Sequence, residues 1–287
     1  MTELLLVTGV TSMVGQEVVK SLLKKNKKIK VGVRDLKKIE SLPWFSQVES
    51  VILDYEKPET VKHALAGVSK LFLVTPPGTY QEENVSKIVL AQAEGQSLKH
   101  IVRLSGMGAD KHNLFGNHHA ADQLLLSSQI DYTALQPNMF MQNFYNYSTS
   151  IKEKQKIIEP AENGKISFID ARDIAEVAAH ALTEAGHVNM IYELTGGESL
   201  NYDQVAKQFS NILGKEIIYQ PLTAQEYLSI KEAEGMPVEF AKRLLQFFQM
   251  VKNGEYARVS PIVEKILGRP PITLKQFIID YRDKFVF

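Results

Sequence analysis

Gly9-Val10-Thr11-Ser12-Met13-Val14-Gly15 follows four apolar residues, Leu4–Val7, and runs into a helical stripe of Val14, Val18 and Leu22. A strand, a glycine turn and a helix in that order are suited to holding a pyrophosphate. Gly9 permits the tight turn, and Gly15 lets the helix pack closely on the strand. The first N–H groups of the helix lack intrahelical acceptors and carry a partial positive charge. Gly9, Thr11, Ser12, Met13, Val14 and Gly15 are therefore candidate contacts of a dinucleotide. The full spacing would place a third glycine at Ser12. A side chain there crowds the closest approach of backbone to phosphate, whereas its hydroxyl can donate a hydrogen bond. A purely structural glycine turn is the alternative.

Arg34 stands 19 residues past Gly15, at the end of an apolar alternation over residues 29–33, with Lys37 and Lys38 close by. An acidic residue at about that distance, roughly 20 residues on, takes the ribose hydroxyls of NAD; an arginine suits the 2′-phosphate of NADP. Asp35 is adjacent and points the other way. NADP(H) is expected in preference to NAD(H). The basic run Lys24-Lys25-Asn26-Lys27-Lys28 complements a helix C-terminus. The seven histidines show no metal-ligand spacing.

The elements that position these residues alternate. Apolar strands are expected over residues 29–33, 48–53, 71–74, His100–Leu104 and 132–135, and helices over 58–66, Glu82–Ala93 and 120–126. Such alternation makes an α/β fold, a doubly wound parallel Rossmann sheet with right-handed crossovers. Ligands of such sheets bind at the carboxyl ends of the strands. Gly9, Arg34, Asp54, Thr75, Ser105 and Pro137 are thus expected to ring one crevice. Thr75, Pro76 and Pro77 either floor a cofactor or simply end a strand.

Past Pro137 the rhythm changes, with Asn and aromatics over 138–147, a helix after Asp170 and a strand at 191–194 that can return to the sheet. From Asn201 the segments read as mostly helical. The expected division is 1–137 plus about 168–195 for the dinucleotide-binding domain. About 138–167 and 196–287 form a smaller, mostly helical domain over the crevice. Asp170-Ala171-Arg172-Asp173 reads as a cap and salt-bridge joint.

Lys+Arg and Asp+Glu both number 33, so no bulk charge draws nucleic acid or an anionic membrane. Cysteine is absent, which excludes a disulfide framework and a thiolate nucleophile. No apolar run approaches the ~20 residues of a membrane span, and no signal-peptide pattern opens the chain. A cytoplasmic protein, monomer or homodimer, is the default expectation.

Val7-Thr8-Gly9…Gly15, Val33-Arg34, Leu71-Phe72-Leu73-Val74-Thr75-Pro76-Pro77 and Asp131-Tyr132-Thr133…Pro137…Phe140-Met141-Gln142-Asn143-Phe144 resemble the NmrA-like atypical short-chain dehydrogenases. So do residues 168–175 and the closing Leu267-Gly268-Arg269-Pro270-Pro271…Phe277. The resemblance implies an NADPH-dependent reductase of a small conjugated acceptor such as a quinone. It equally admits an NADP-binding redox sensor; a nucleotide-sugar epimerase is disfavoured. The family's second glycine is Ser12 here, and its arginine before the proline is Gln136. The Tyr-x-x-x-Lys pair of epimerases is absent from its place; Tyr227 and Lys231 match the spacing by chance.

The resemblance implies a catalytic role for His118, as proton donor or as a hold on the nicotinamide ribose. His119 is beside it. Asp122, one turn on, either orients His118 or is a solvated helix carboxylate. Phe140, Asn143 and Tyr145 are expected on the substrate side, with core packing as the alternative.

Overall fold

The computed structural model of the protein describes residues 3–76, 82–112, 114 and 116–287. Pro77, a candidate of the cofactor floor, lies outside them. The chain divides into two compact units, 1–137 with 171–194 and 138–170 with 195–287.

The first unit opens with β1 (Leu4–Val7), α1 (Met13–Lys24), β2 (Lys28–Val33), β3 (Glu49–Ile52) and α2 (Pro58–Leu65). It continues with β4 (Lys70–Leu73), α3 (Glu82–Ala93), β5 (His100–Leu104), α4 (His118–Leu126) and β6 (Asp131–Pro137). β7 (Lys156–Glu159) belongs to the second unit; α5 (Ala171–Thr183) and β8 (Met190–Leu194) complete the first. Seven strands pair in the order β3-β2-β1-β4-β5-β6-β8, every pair parallel. The direction of winding therefore reverses between β1 and β4.

Both faces of the sheet are covered, which is why its strands read as unbroken apolar runs. Leu5, Leu6 and Val7 have no exposed surface. α1 buries Val14, Val18, Val19 and Leu22 and packs beside α5, which buries Ile174, Val177, Ala178, Ala181 and Leu182. α2, α3 and α4 cover the other face through Val61, Leu65, Val85, Val89 and Leu125. Two boundaries differ from expectation. α4 starts at His118 rather than 120, because the Asn117 side chain caps it. β6 runs on through Gln136 and Pro137, because β8 pairs with both.

The second unit contains α6 (Tyr202–Leu213), β9 (Ile218–Pro221), α7 (Ala224–Ala233), α8 (Val238–Lys252), α9 (Ile262–Leu267) and α10 (Leu274–Asp280). Its two-stranded parallel sheet of β7 and β9 was not expected among helices; four-residue strands with half-exposed side chains leave no periodic signal. Its core is aromatic, with Phe144 edge-on to Phe209 at 5.6 Å and Phe209 edge-on to Phe285 at 4.9 Å.

Glu159 ends β7 almost fully buried, and Tyr147 Oη donates to Oε1 at 2.7 Å. Burial pushes its carboxyl up to about 7, which the tyrosine hydrogen bond only partly offsets. A carboxyl whose folded pKa exceeds its unfolded one favours folding when protonated. Stability is then greatest below the unfolded value near 4.5 and is lost as pH rises through 7. Replacing Glu159 with Gln is expected to flatten that decline, gaining on the order of 1–3 kcal/mol at pH 8 relative to wild type, read from urea midpoints across pH.

A Cβ on Gly15 would lie 2.2 Å from the Gly9 carbonyl oxygen, which is backbone and cannot turn away. Gly15→Ala should cost about 1–3 kcal/mol by overpacking. The control is Gly197→Ala, where the added carbon meets only Pro271, at 3.7 Å; it should change the unfolding midpoint little.

Candidate functional site

A cleft opens at the carboxyl ends of β1, β2, β3 and β4, all in the first unit. The turn Thr8–Ser12 forms one wall, residues 32–35 with Lys38 a second, and Val74, Thr75 and Pro76 a third; Leu53 and Tyr55 close it. Gly9 sits at φ +66°, and a Cβ there would be 2.6 Å from Val74 Cβ. Both the backbone conformation and the close approach demand glycine.

Ser12 is the N-cap of α1. Its Oγ accepts from Gly15 N at 3.1 Å, and its N donates to Gly9 O at 2.9 Å. At φ −85° the position has no need of glycine. Because the oxygen accepts the capping bond, the hydroxyl hydrogen remains available for a ligand. The N–H groups of Met13 and Val14, at the first positions of the helix, have no intrahelical acceptor. Their side chains play no part in the cleft: Met13 is exposed, and Val14 is buried under the helix.

Arg34 and Lys38 bring two exposed cations to the wall after β2, whereas Lys37 does not line the cleft. Asp35 lines it too, but its Oδ1 accepts from Lys37 N at 3.1 Å and caps a short 3₁₀ turn. Asp35 thus caps its own turn through Oδ1 while lining the cleft. Thr75 Oγ1 is buried with no hydrogen-bond partner. Burial pushes the Tyr55 hydroxyl up to about 12, so it stays protonated.

The expected ring of six strand ends divides in two. Gly9, Arg34 and Thr75 line the cleft; Asp54, Ser105 and Pro137 do not. Asp54 is used locally, its Oδ1 accepting from Glu56 N and its backbone tied to Thr60 Oγ1 before α2. Pro137 is buried in β6, its carbonyl accepting from Met107 N. Ser105 belongs to a second constellation.

That constellation is buried between β5, β6 and α4. Arg103 has no exposed surface. Its Nη1 donates to Asp122 Oδ1, and its Nη2 donates to His118 Nδ1 at 3.0 Å. Asp122 also accepts from Tyr132 Oη at 2.6 Å, Ser105 Oγ at 2.7 Å and Gln136 Nε2 at 3.4 Å. Asp122 is only 2% exposed, so the solvated-carboxylate reading is wrong, and it reaches His118 only through Arg103. Burial first, and then the Arg103 charge, lower the His118 pKa. His119 is exposed. Arg103 was missed, although a charged residue inside the apolar run His100–Leu104 was the available signal.

In the second unit Phe140 and Asn143 are half-buried, and Asn143 N donates to Phe140 O. The Tyr145 ring stacks on Phe277 at 5.7 Å and meets Tyr281 edge-on at 5.6 Å, and it stays half-buried. Asp170 is fully buried and accepts from Gln142 Nε2 at 2.9 Å. Tyr227 is buried on α7, with the Lys231 ammonium 5.6 Å above its ring and paired to Glu234. That Tyr-x-x-x-Lys spacing is structural. Among the described residues, no acidic and histidine cluster could hold a metal, and no helix is long and apolar enough to cross a membrane.

Residues 1–281 match the NmrA-like family. An NAD(P)H azoreductase of Xenophilus azovorans is 34% identical over 277 residues, 96% of either chain. An NADPH-dependent quinone oxidoreductase from Escherichia coli, solved with NADPH, superposes with a TM-score of 0.87 at 26% identity, covering 96% of this chain and 99% of that one. A triphenylmethane reductase of Citrobacter sp., solved with NADP(H), gives 0.86 at 27% identity, covering 97% and 99%. With its cleft at the β1–β4 reversal and a match over nearly its whole length, the chain belongs to the NmrA-like family.

Proposed function

We propose that the protein is an NADPH-dependent reductase of a small conjugated acceptor, a quinone or a compound of similar electron demand. The observation that carries this reading is the cleft, in which the Gly9 turn, the start of α1 and the Arg34–Lys38 cations face one space. Its relatives named as azoreductase and quinone oxidoreductase support the same reading.

The residues present fit an NADP(H) group. Gly9 presents no side chain to a pyrophosphate, and Thr75 Oγ1 gives the third wall a donor and an acceptor that no group among the described residues satisfies. Arg34 and Lys38 suit a 2′-phosphate. The bound cofactor supplies a hydride; the acceptor gains that hydride and one proton, a two-electron reduction.

The protein's task is then to bind, orient and polarise. Ser12 donates its hydroxyl hydrogen to the phosphates while capping α1. His118 offers an N–H to the heteroatom of the acceptor that gains negative charge, the role of a neutral imidazole in other enzymes. Among the described residues, no Tyr-x-x-x-Lys pair lines the cleft or joins the Arg103 network, which suits acceptors that need little protonation before hydride arrives.

Titrating NADPH and NADH by fluorescence tests the cofactor assignment. NADPH should bind more tightly, and Arg34→Ala should weaken NADPH alone by about 1.5–3 kcal/mol, as a charge-assisted hydrogen bond. Equal affinity for the two cofactors in the wild type removes the assignment. Loss of NADPH absorbance with a panel of quinones tests turnover: oxidation by electron-poor members is expected. Tight binding without oxidation by any member would leave the redox-sensor reading instead.

A further inference from the structure

Two of the groups around His118 determine which of its nitrogens can act, and neither is explained by cofactor binding. A carboxylate at Nδ1 accepts Nδ1–H and leaves Nε2 as a base, the arrangement of hydrolytic triads. Here the group at Nδ1 is a guanidinium, which has five donors and no acceptor. Nδ1 must therefore accept, and a neutral imidazole must carry its proton on Nε2. Asp122 cannot reverse this. Both its oxygens are occupied by Arg103, Tyr132, Ser105 and Gln136. Those bonds aim the guanidinium fork rather than the imidazole.

The other edge of the ring faces Gly106. A Cβ placed there would lie 3.4 Å from His118 Cδ2 and 3.7 Å from Nε2. Glycine at 106 puts no side chain against that edge, and Nε2 has no hydrogen-bond partner among the described residues. The imidazole thus has one end fixed by a buried charge and one end that no described hydrogen bond engages.

We propose that Arg103 is a positioning residue: held by Asp122, it fixes His118 as the Nε2–H tautomer and makes it a hydrogen-bond donor rather than a general base or a cationic acid. Its effect on catalysis rests on the reductase reading given above; its hold on the tautomer does not.

The surrounding charges act in one net direction. Burial and the positive charge of Arg103 disfavour imidazolium, and His112, when charged, adds to them; Glu82 and Asp122 act the other way but more weakly. The net effect lowers the His118 pKa and favours the neutral imidazole. A donor of this kind keeps working as pH rises above about 6.5, whereas an imidazolium acid would be lost there.

The test begins with nitrogen-15 resonances of the histidine rings in the full-length wild-type protein without cofactor. His118 should show the Nε2–H pattern and no titration between about pH 6 and 8. A Nδ1–H pattern, or titration near 6.5, overturns the proposal. The variant is Arg103→Lys, which keeps the charge but loses the fork that reaches Asp122 and His118 together. There the His118 signals should change to mixed tautomers. Quinone turnover should fall roughly ten- to a hundredfold, while the NADPH KM moves less than about threefold. Unchanged signals in the variant, or loss of turnover matched by loss of NADPH affinity, count against a positioning role. If Arg103→Lys does not fold, the wild-type titration still decides. If the tautomer is as expected but the wild type oxidises no NADPH, the reductase reading falls while the hold on His118 stands.

Discussion

A guanidinium with no exposed surface, in the middle of a parallel sheet, is the feature that constrains its surroundings most tightly. Removing such an ion from water costs several kcal/mol unless it is paired and hydrogen-bonded. β5 carries Arg103 in register with Leu73 of β4 and Ala134 of β6, both without exposed surface. Compensation has to come from side chains at the strand ends and the start of α4. Asp122 supplies the opposite charge, and Ser105, Tyr132 and Gln136 fill its remaining acceptor sites. Three elements of chain, β5, α4 and β6, are thus drawn into one network, and Nη2 of Arg103 meets His118. Removing one partner would leave the other charge buried and unpaired, so the network is held by its own electrostatics whether or not a ligand is present.

The cleft depends on a different kind of constraint, steric rather than electrostatic. Gly9 and Gly15 have to touch through backbone, and Gly9 has to clear Val74 of the neighbouring connection. Both contacts press the start of α1 against the end of β1. Ser12 then closes the turn as a cap, doing with a side chain what a third glycine would have left to the backbone and the ligand. The departure from the full glycine spacing is therefore a change in how the turn is satisfied. It leaves the helix N-terminus where an anion can meet it.

The sheet, its parallel direction and the glycine turn were legible because they rest on local signals: short apolar runs, glycine at an obligatory left-handed position, and helix stripes at a spacing of three to four. Arg34 was legible by distance from the turn, and the adjacent Asp35 was ambiguous until its cap showed. Side-chain partnerships across the sheet were not legible. Nothing near Asp122 in the chain announces Arg103, which lies 19 residues earlier on another element. Periodicity puts Asp122 on the face of His118 but cannot say what else reaches that face. The same limit misplaced Asp54, Ser105 and Pro137: each is a strand end, but local turns and the buried network had prior use for them. Tyr145 packs against Phe277 and Tyr281, contacts made with residues more than a hundred positions away.

The two constraints sit at opposite ends of one line of strands. Arg34 follows β2, Gly9 follows β1, Thr75 follows β4, and Arg103 lies in β5 with His118 of α4 bonded to it; these four strands are consecutive in the sheet. Neighbouring strands lie about 4.8 Å apart, so the cationic end and the His118 end are separated by roughly 14 Å along the strand ends. A compact ligand could meet one end only. An extended one lying across the β1–β4 reversal would meet phosphate-binding groups first and the fixed imidazole last. That order is the one the proposed reduction needs: charge recognised far from the reacting atoms, and near them a hydrogen-bond donor held in one tautomer. The buried arginine therefore acts on His118 through what it prevents. With the guanidinium on Nδ1, that nitrogen cannot carry the proton of a neutral ring, so Nε2 must.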